Sequence, residues 1–259
     1  MENKKLFYKI LSLCIPALIL GSNGSVFAQK SVGAKNIVIV HGAFADASGW
    51  KSVYNILVKH GYKVTLVQNP TSSLAADVAA TNFALERQDG PVVLVGHSYG
   101  GAVVTQAGSA DIVKSLVYVA AVIPDVGEST SSLVSNAKPL PIIGISEPDS
   151  HGNVYLLKTT FRETFASGQT QEKANFMYDS QIPLSVKALN DKVTHAPWKS
   201  KPTYAVKPSN DQTMSPLLED MMYKRAKANI TIINGGHTLF MTQPKAVAKV
   251  IEQAARAVK

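Results

Sequence analysis

Cysteine is almost absent from this chain of 259 residues: Cys14 is the only one. It lies in an N-terminal segment expected to be removed, so the mature chain would hold no disulfide, no metal thiolate and no thiol nucleophile, and packing must supply its stability. Long apolar runs are scarce too. The run ILSLCIPALILG is short of the ~20 residues that a membrane span needs, so no stable membrane anchor is expected after processing. The lysines are scattered, and no basic run is interleaved with aromatics, so nucleic acid is not an expected partner. Repeats and disorder-prone tracts are missing as well, and a hydrophobic content of 46% fits one sizeable globular core.

What the N-terminus does contain is a leader in three parts: basic MENKKLFYK, apolar ILSLCIPALILG, then small and polar SNGSVFAQK. Val26 and Ala28 stand at the third and first positions before a cut of the A-x-A kind. Residues 1–28 therefore read as a signal peptide, residues 29–259 as one domain starting at Gln29, and the destination as secreted or periplasmic. Leu13 fills the place where a lipoprotein cut before Cys14 would want a small residue. Losing Lys4, Lys5, Lys9 and Glu2 with the leader lowers the formal charge from +8 to +6, which the scattered lysines spread over a solvated surface.

Apolar, β-branched stretches recur at 36–40, 64–67, 92–95, 116–122, 203–206 and 230–233. Between most of them the period becomes helical. Trp50, Val53, Tyr54 and Leu57 form one stripe, closed by Gly61, and Val247, Val250, Ile251, Ala254 and Val258 form another, opened by Pro244. Ser215 before Pro216 reads as a further helix start, with Glu219 and Asp220 near the positive end of its dipole. Alternating strand and helix imply an α/β fold: a mainly parallel sheet of about six strands flanked by helices. From about 124 to 201 no central strand is expected. Helically spaced Phe161, Phe165, Phe176, Met177 and Leu184 make that interval a helical cap over the sheet edge.

One stretch carries a sharper signal. In PVVLVGHSYGGA a strand apolar on both faces stops at a serine boxed in by Gly96, Gly100 and Gly101, which permit a sharp turn and close packing of the next helix. GHSYG fits the G-x-S-x-G nucleophile elbow, in the strand–turn–helix context that the motif requires. With VHGAFADASGW at 40–50, the chain resembles the α/β-hydrolase superfamily over nearly its whole mature length, and most closely the branch of plant methyl-ester esterases and hydroxynitrile lyases.

That resemblance implies a triad in the chain order serine, acid, histidine. Ser98 would be the nucleophile. Of the six histidines only His237, in NGGHTLF, follows the last strand, so it would be the general base. His41 and His97 read as packed or hydrogen-bonded neighbours, and His60, His151 and His195 as surface residues. Asp211, after the strand TYAV, leads as the acid; Asp125 is its rival, because some relatives place the acid one strand earlier. The backbone N–H groups of Ala43 and Tyr99 would form the oxyanion hole.

The chemistry explains these residue types. A serine hydroxyl needs a base, an imidazole with an ordinary pKa near ~6.5 can take and return a proton near neutrality, and a carboxylate fixes its tautomer. Hence the expected activity is a serine esterase that cleaves small-molecule carboxylic esters through an acyl-enzyme, with no metal and no organic cofactor. A cofactor-free perhydrolase or haloperoxidase, and a ligand sensor retaining the hydrolase site, remain as alternatives. Related lyases carry a lysine directly after the triad histidine, where this chain has Thr238. Lys158 and Lys173 lie in the cap, and nothing in the sequence puts either beside His237. Phe161, Phe165, Phe176 and Trp198 are candidates either for the pocket wall or for the core of the cap.

Overall fold

A computed structural model describes residues 33–137 and 144–259; the expected signal peptide, its cleavage site and Cys14 lie outside them. The first half alternates strand and helix: β1 (Asn36–Val40), α1 (Lys51–Lys59), β2 (Lys63–Val67), α2 (Leu74–Glu86), β3 (Val92–His97), α3 (Gly100–Ala107) and β4 (Val113–Val119). An interval of short elements follows: α4 (Thr130–Ser135), β5 (Asn153–Val154), α5 (Lys158–Thr164), α6 (Gln171–Asp179), β6 (Leu184–Ser185) and α7 (Val186–Asn190). The chain then returns to the sheet with β7 (Thr203–Pro208), α8 (Pro216–Arg225), β8 (Asn229–Ile233), α9 (Leu239–Thr242) and α10 (Pro244–Arg256).

Six strands form one sheet in the order β2-β1-β3-β4-β7-β8, and every pairing is parallel. All residues of β1 and β3 are buried, as a strand covered by helices on both faces must be. Side chains alternate between two cores. Ile37, Ile39, Val93, Val95, Val117 and Val119 pack with α1 and α10, while Val38, Val40, Leu94 and Leu116 face the side of α2, α3 and α8. Fully burying each such side chain contributes about 1.5–3 kcal/mol, so the central strands carry much of the fold's hydrophobic stabilisation. The α10 stripe of Val247, Val250, Ile251 and Ala254 is buried, opened by Pro244 at a position where no N–H is needed.

Three details differ from the sequence reading. The strand expected at 116–122 runs instead over Val113–Val119, because Ala120 takes a positive φ of 44° and leaves the ladder. The interval between β4 and β7 is not purely helical: Asn153–Val154 and Leu184–Ser185 pair antiparallel as a second, two-stranded sheet. Ser215 precedes α8 but makes no side-chain cap, while Glu219 stands in the first turn of α8 as expected and is fully buried there.

Candidate active site

Ser98 follows β3 directly, and its φ of 52° is unusual for a residue with a Cβ. Such a conformation costs of order 1–3 kcal/mol and persists only where its surroundings fix it. Here they do. The Ser98 N–H donates to the carbonyl of Ala120 at 3.1 Å, and the Ser98 carbonyl accepts from Gly101 at 3.0 Å and from Val122 at 3.2 Å. The early departure of the chain from β4 thus supplies the groups that hold the turn. Two glycines allow the close approach. A Cβ on Gly100 would sit 2.6 Å from the His41 carbonyl oxygen, and one on Gly42 would sit 2.8 Å from the Cβ of Ser98.

His237 lies in the loop after β8, and Asp211 in the loop after β7. The three side chains meet. Nδ1 of His237 is 2.8 Å from Oδ2 of Asp211, and Nε2 is 2.9 Å from Oγ of Ser98. Because a carboxylate only accepts, Nδ1 carries the proton and donates it, which leaves Nε2 free to accept from the serine hydroxyl. The other oxygen of Asp211 accepts from the backbone N–H of Thr213 at 2.7 Å and of Met214 at 2.8 Å. Asp211 and His237 are both fully buried, while Ser98 is half-buried and open to a ligand. Such a set can remove a proton from a hydroxyl and stabilise the imidazolium that results.

The neighbouring polar groups hold this arrangement from behind. His97 donates from Nε2 to the His237 carbonyl at 3.1 Å, and its ring lies 4.8 Å from that of His237. Burial pushes the His97 imidazole well below its ordinary pKa, so it acts as a neutral support. His41 accepts from the Asn69 N–H at 2.8 Å and donates to the Gly42 carbonyl at 2.8 Å, pinning the loop after β1. Tyr99 turns its hydroxyl away from the serine to donate to buried Asp77 at 2.6 Å, and Asp77 also accepts from the Thr71 N–H at 2.7 Å. The backbone N–H groups of Ala43 and Tyr99 have no protein acceptor among the described residues. They flank Ser98 along the chain and across the Gly42 contact.

Asp125 is elsewhere. Its carboxylate pairs with Lys199 at 2.5 Å and accepts from the Val126 N–H at 2.7 Å, with no histidine among its partners. The Lys199 hydrogen bond holds its carboxyl below the usual range.

A cavity of about 350 Å³ adjoins these residues, lined by Phe44, Phe165, Phe176, Thr238 and Phe240 among others. Phe165 lies 5.5 Å from the His237 ring, and Phe240 lies 4.7 Å from the His97 ring. Neither Ser98 nor His237 is in the lining; His237 adjoins it through Thr238, its neighbour in the chain, and through the Phe165 ring. The four aromatic candidates divide: Phe165 and Phe176 line the cavity, whereas Phe161 is buried against Phe165 and Tyr178, and Trp198 donates from its indole to the Pro124 carbonyl at 2.9 Å. Thr238 donates to the Phe165 carbonyl at 3.2 Å, tying the histidine loop to the segment after α5. Lys173 lines the same cavity as Thr238, a proximity that no local pattern announces; Lys158 lies over the Tyr178 ring.

Sequence reasoning passed over Asp77. Asp77 is the one charged residue in the otherwise uncharged run LAADVAATNFA of α2, and a lone carboxylate there was the available signal. Among the described residues no group of three His, Cys, Asp or Glu side chains could hold a metal ion.

A parallel sheet with a strained serine after a central strand, and a histidine on the loop after the last strand, defines an α/β hydrolase. The sequence profile of the alpha/beta hydrolase family matches residues 37–250, and the chain belongs to that family. It is similar to the pheophorbidase of Raphanus sativus, 26% identical over 241 residues that cover 81% of this chain and 89% of that protein. It is also similar to the carbendazim hydrolyzing esterase of Nocardioides sp. (strain SG-4G), 31% identical over 118 residues, or 40% of this chain and 49% of the relative. Among solved structures, an extracellular alpha/beta-hydrolase from a Paenibacillus species shares the fold with a TM-score of 0.73 at 20% identity, over 85% of this chain and 99% of that one.

Proposed function

We propose that the protein is a serine hydrolase that cleaves small-molecule carboxylic esters through an acyl-enzyme on Ser98. The observation that carries this reading is the unbroken chain of contacts from Ser98 Oγ to His237 Nε2, 2.9 Å, and from His237 Nδ1 to Asp211, 2.8 Å. The name of one relative, the carbendazim hydrolyzing esterase, supports it. In the first step His237 takes the hydroxyl proton while Oγ attacks the ester carbonyl. Asp211 stabilises the imidazolium, and the negative charge on the carbonyl oxygen falls to the N–H groups of Ala43 and Tyr99, worth about 3 kcal/mol per donor. The imidazolium then gives its proton to the leaving alcohol, and water, activated by the same histidine, releases the acid.

The test is a panel of aryl acetates and methyl esters with graded acyl length, run on the protein and on Ser98→Ala. Ester turnover that falls by about 10⁶ in the variant is the expected result. Equal turnover in the two proteins would remove Ser98 from the reaction. Mandelonitrile belongs in the same panel: serine-dependent cyanide release faster than any ester cleavage would make the protein a lyase. Export is part of the proposal and rests on the three-part leader; the intact mass of the exported protein should begin at Gln29, and a mass that keeps earlier residues would contradict it.

A further inference from the structure

The cavity beside His237 changes character along its wall. Near the histidines it is apolar: Phe165 and Phe240 pack against the rings of His237 and His97, and Trp50 stacks on Phe240 at 4.3 Å and holds it in place. Further along, the wall is contributed by exposed positions at the start of α1 and in the first turn of α6. These bring Lys51, Ser52 and Lys173.

Most polar groups in that wall are already engaged. Asp46 accepts from the N–H of Ser48 at 2.8 Å and from its hydroxyl at 2.5 Å, the Ser180 hydroxyl donates to the Phe176 carbonyl at 2.7 Å, and the Thr238 hydroxyl donates to the Phe165 carbonyl. What remains without a protein partner among the described residues is a set of donors: the ammonium groups of Lys51 and Lys173 and the hydroxyl of Ser52. Other lysines are spent differently. Lys158 lies over Tyr178, Lys187 pairs with Asp191, Lys199 with Asp125, and Lys207 with Asp220. With two cations against the single carboxylate of Asp46, the wall has a net positive charge and a surplus of donors.

We propose that this cavity selects esters carrying an anionic group on an apolar, aromatic-sized body, with the body against Phe165 and Phe240 and the anion at Lys51 and Lys173. This rests on the ester-hydrolase reading above and adds a substrate class to it. A neutral ester would fill the apolar part and leave both cations solvated, so it gains nothing from the charged wall. An anionic one gains an ion pair with each of the two lysines at the exposed end of the cavity wall. Ion pairs at exposed positions are weak, and salt weakens them further. About tenfold in kcat/KM is the discrimination to look for.

Two matched pairs of probes test this at pH 7.5, one with the charge on the acyl side and one with it on the alcohol side: methyl 4-carboxyphenylacetate against methyl 4-methylphenylacetate, and 4-carboxybenzyl acetate against 4-methylbenzyl acetate. In at least one pair the carboxylate should be preferred by about tenfold, and the preference should shrink as salt rises from about 0.05 to 1 M. Lys51→Met and Lys173→Met should each lower the anionic-to-neutral ratio, and the double variant should abolish it, whereas Lys173→Arg should keep it. Lys249→Met, on α10 and outside the cavity wall, controls for the net charge of the protein and should leave the ratio where it was. Hydrolysis of all four probes with no preference in either pair, or a ratio that Lys249→Met lowers as much as Lys173→Met does, would overturn the inference and leave the esterase reading standing. Failure to hydrolyse any of them, together with inactivity across the ester panel, would strike the esterase reading itself.

Discussion

Two loops leave neighbouring strands of one sheet, each bearing an aspartate, and the two carboxylates end in opposite surroundings. After β4, Asp125 stays partly exposed and is satisfied by the Lys199 ammonium and one N–H. After β7, Asp211 is fully buried, yet three donors converge on it: two backbone N–H groups and the His237 ring. Type and strand order alone do not separate them. What does is the backbone of the segment after Asp211, which folds back so that the N–H groups of Thr213 and Met214 donate to one oxygen of its carboxylate, while the His237 ring donates to the other. A buried carboxylate without such donors becomes neutral.

Glu219 is that counterexample in the same molecule. It is fully buried on α8, accepts only from the Tyr223 hydroxyl at 3.2 Å, and its second oxygen has no partner. Burial, then the negative charge of Asp211, pushes its carboxyl up to about 9. Glu219 is therefore a neutral acid at pH 7, and Tyr223, which also accepts from the Ala121 N–H at 3.0 Å, connects it to the segment that holds the serine turn.

The contrast among these three carboxylates can be measured. The largest effect is expected from Asp211→Asn, which should lower ester turnover by about 10⁴ with little change in KM, because it leaves the imidazole without its orienting anion. A loss under tenfold would mean that the buried carboxylate is structural. Next comes Glu219→Gln, read by thermal unfolding against pH. A carboxyl titrating near 4.5 in the unfolded chain and about 9 in the folded one makes folding less favourable as pH rises through that interval. The amide variant has no such loss, so its Tm should exceed that of the parent by about 5 °C or more at pH 8 and converge with it near pH 4.5. A constant gap across that range would show that Glu219 does not titrate as described. The smallest effect belongs to Asp125→Asn: turnover within about twofold, and stability lower by at most about 1 kcal/mol for the loss of one exposed ion pair.

The same contrast explains how much could be read from the sequence. Strands β1, β3 and β7, the α10 stripe, and the serine at the end of β3 are written in local patterns: β-branched runs, helical spacing, and glycines around a turn. The choice between Asp211 and Asp125 is not written in a local pattern, since each is a turn aspartate after a strand; the N–H groups of Thr213 and Met214 folding back onto Asp211, together with its contact to His237, separate them. Where β4 ends was hidden for a related reason. Residues 120–122 are as apolar as the strand before them, but the Ala120 carbonyl is taken by the Ser98 N–H. Phe161 and Phe165 share one helical spacing and both are buried, yet only Phe165 faces the cavity. Periodicity shows that a side chain is buried, not what it is buried against.

The central claim is that Ser98, activated by His237, is the atom that becomes acylated. A fluorophosphonate mimics the acylating ester and stays attached, so the direct measurement is mass spectrometry of peptides from the treated protein, with ester turnover followed in parallel. The account predicts one adduct, on the peptide containing Ser98, formed in step with the loss of activity and slowed strongly in Asp211→Asn. An adduct on any other residue, or full ester turnover after Ser98 has been modified, would contradict it.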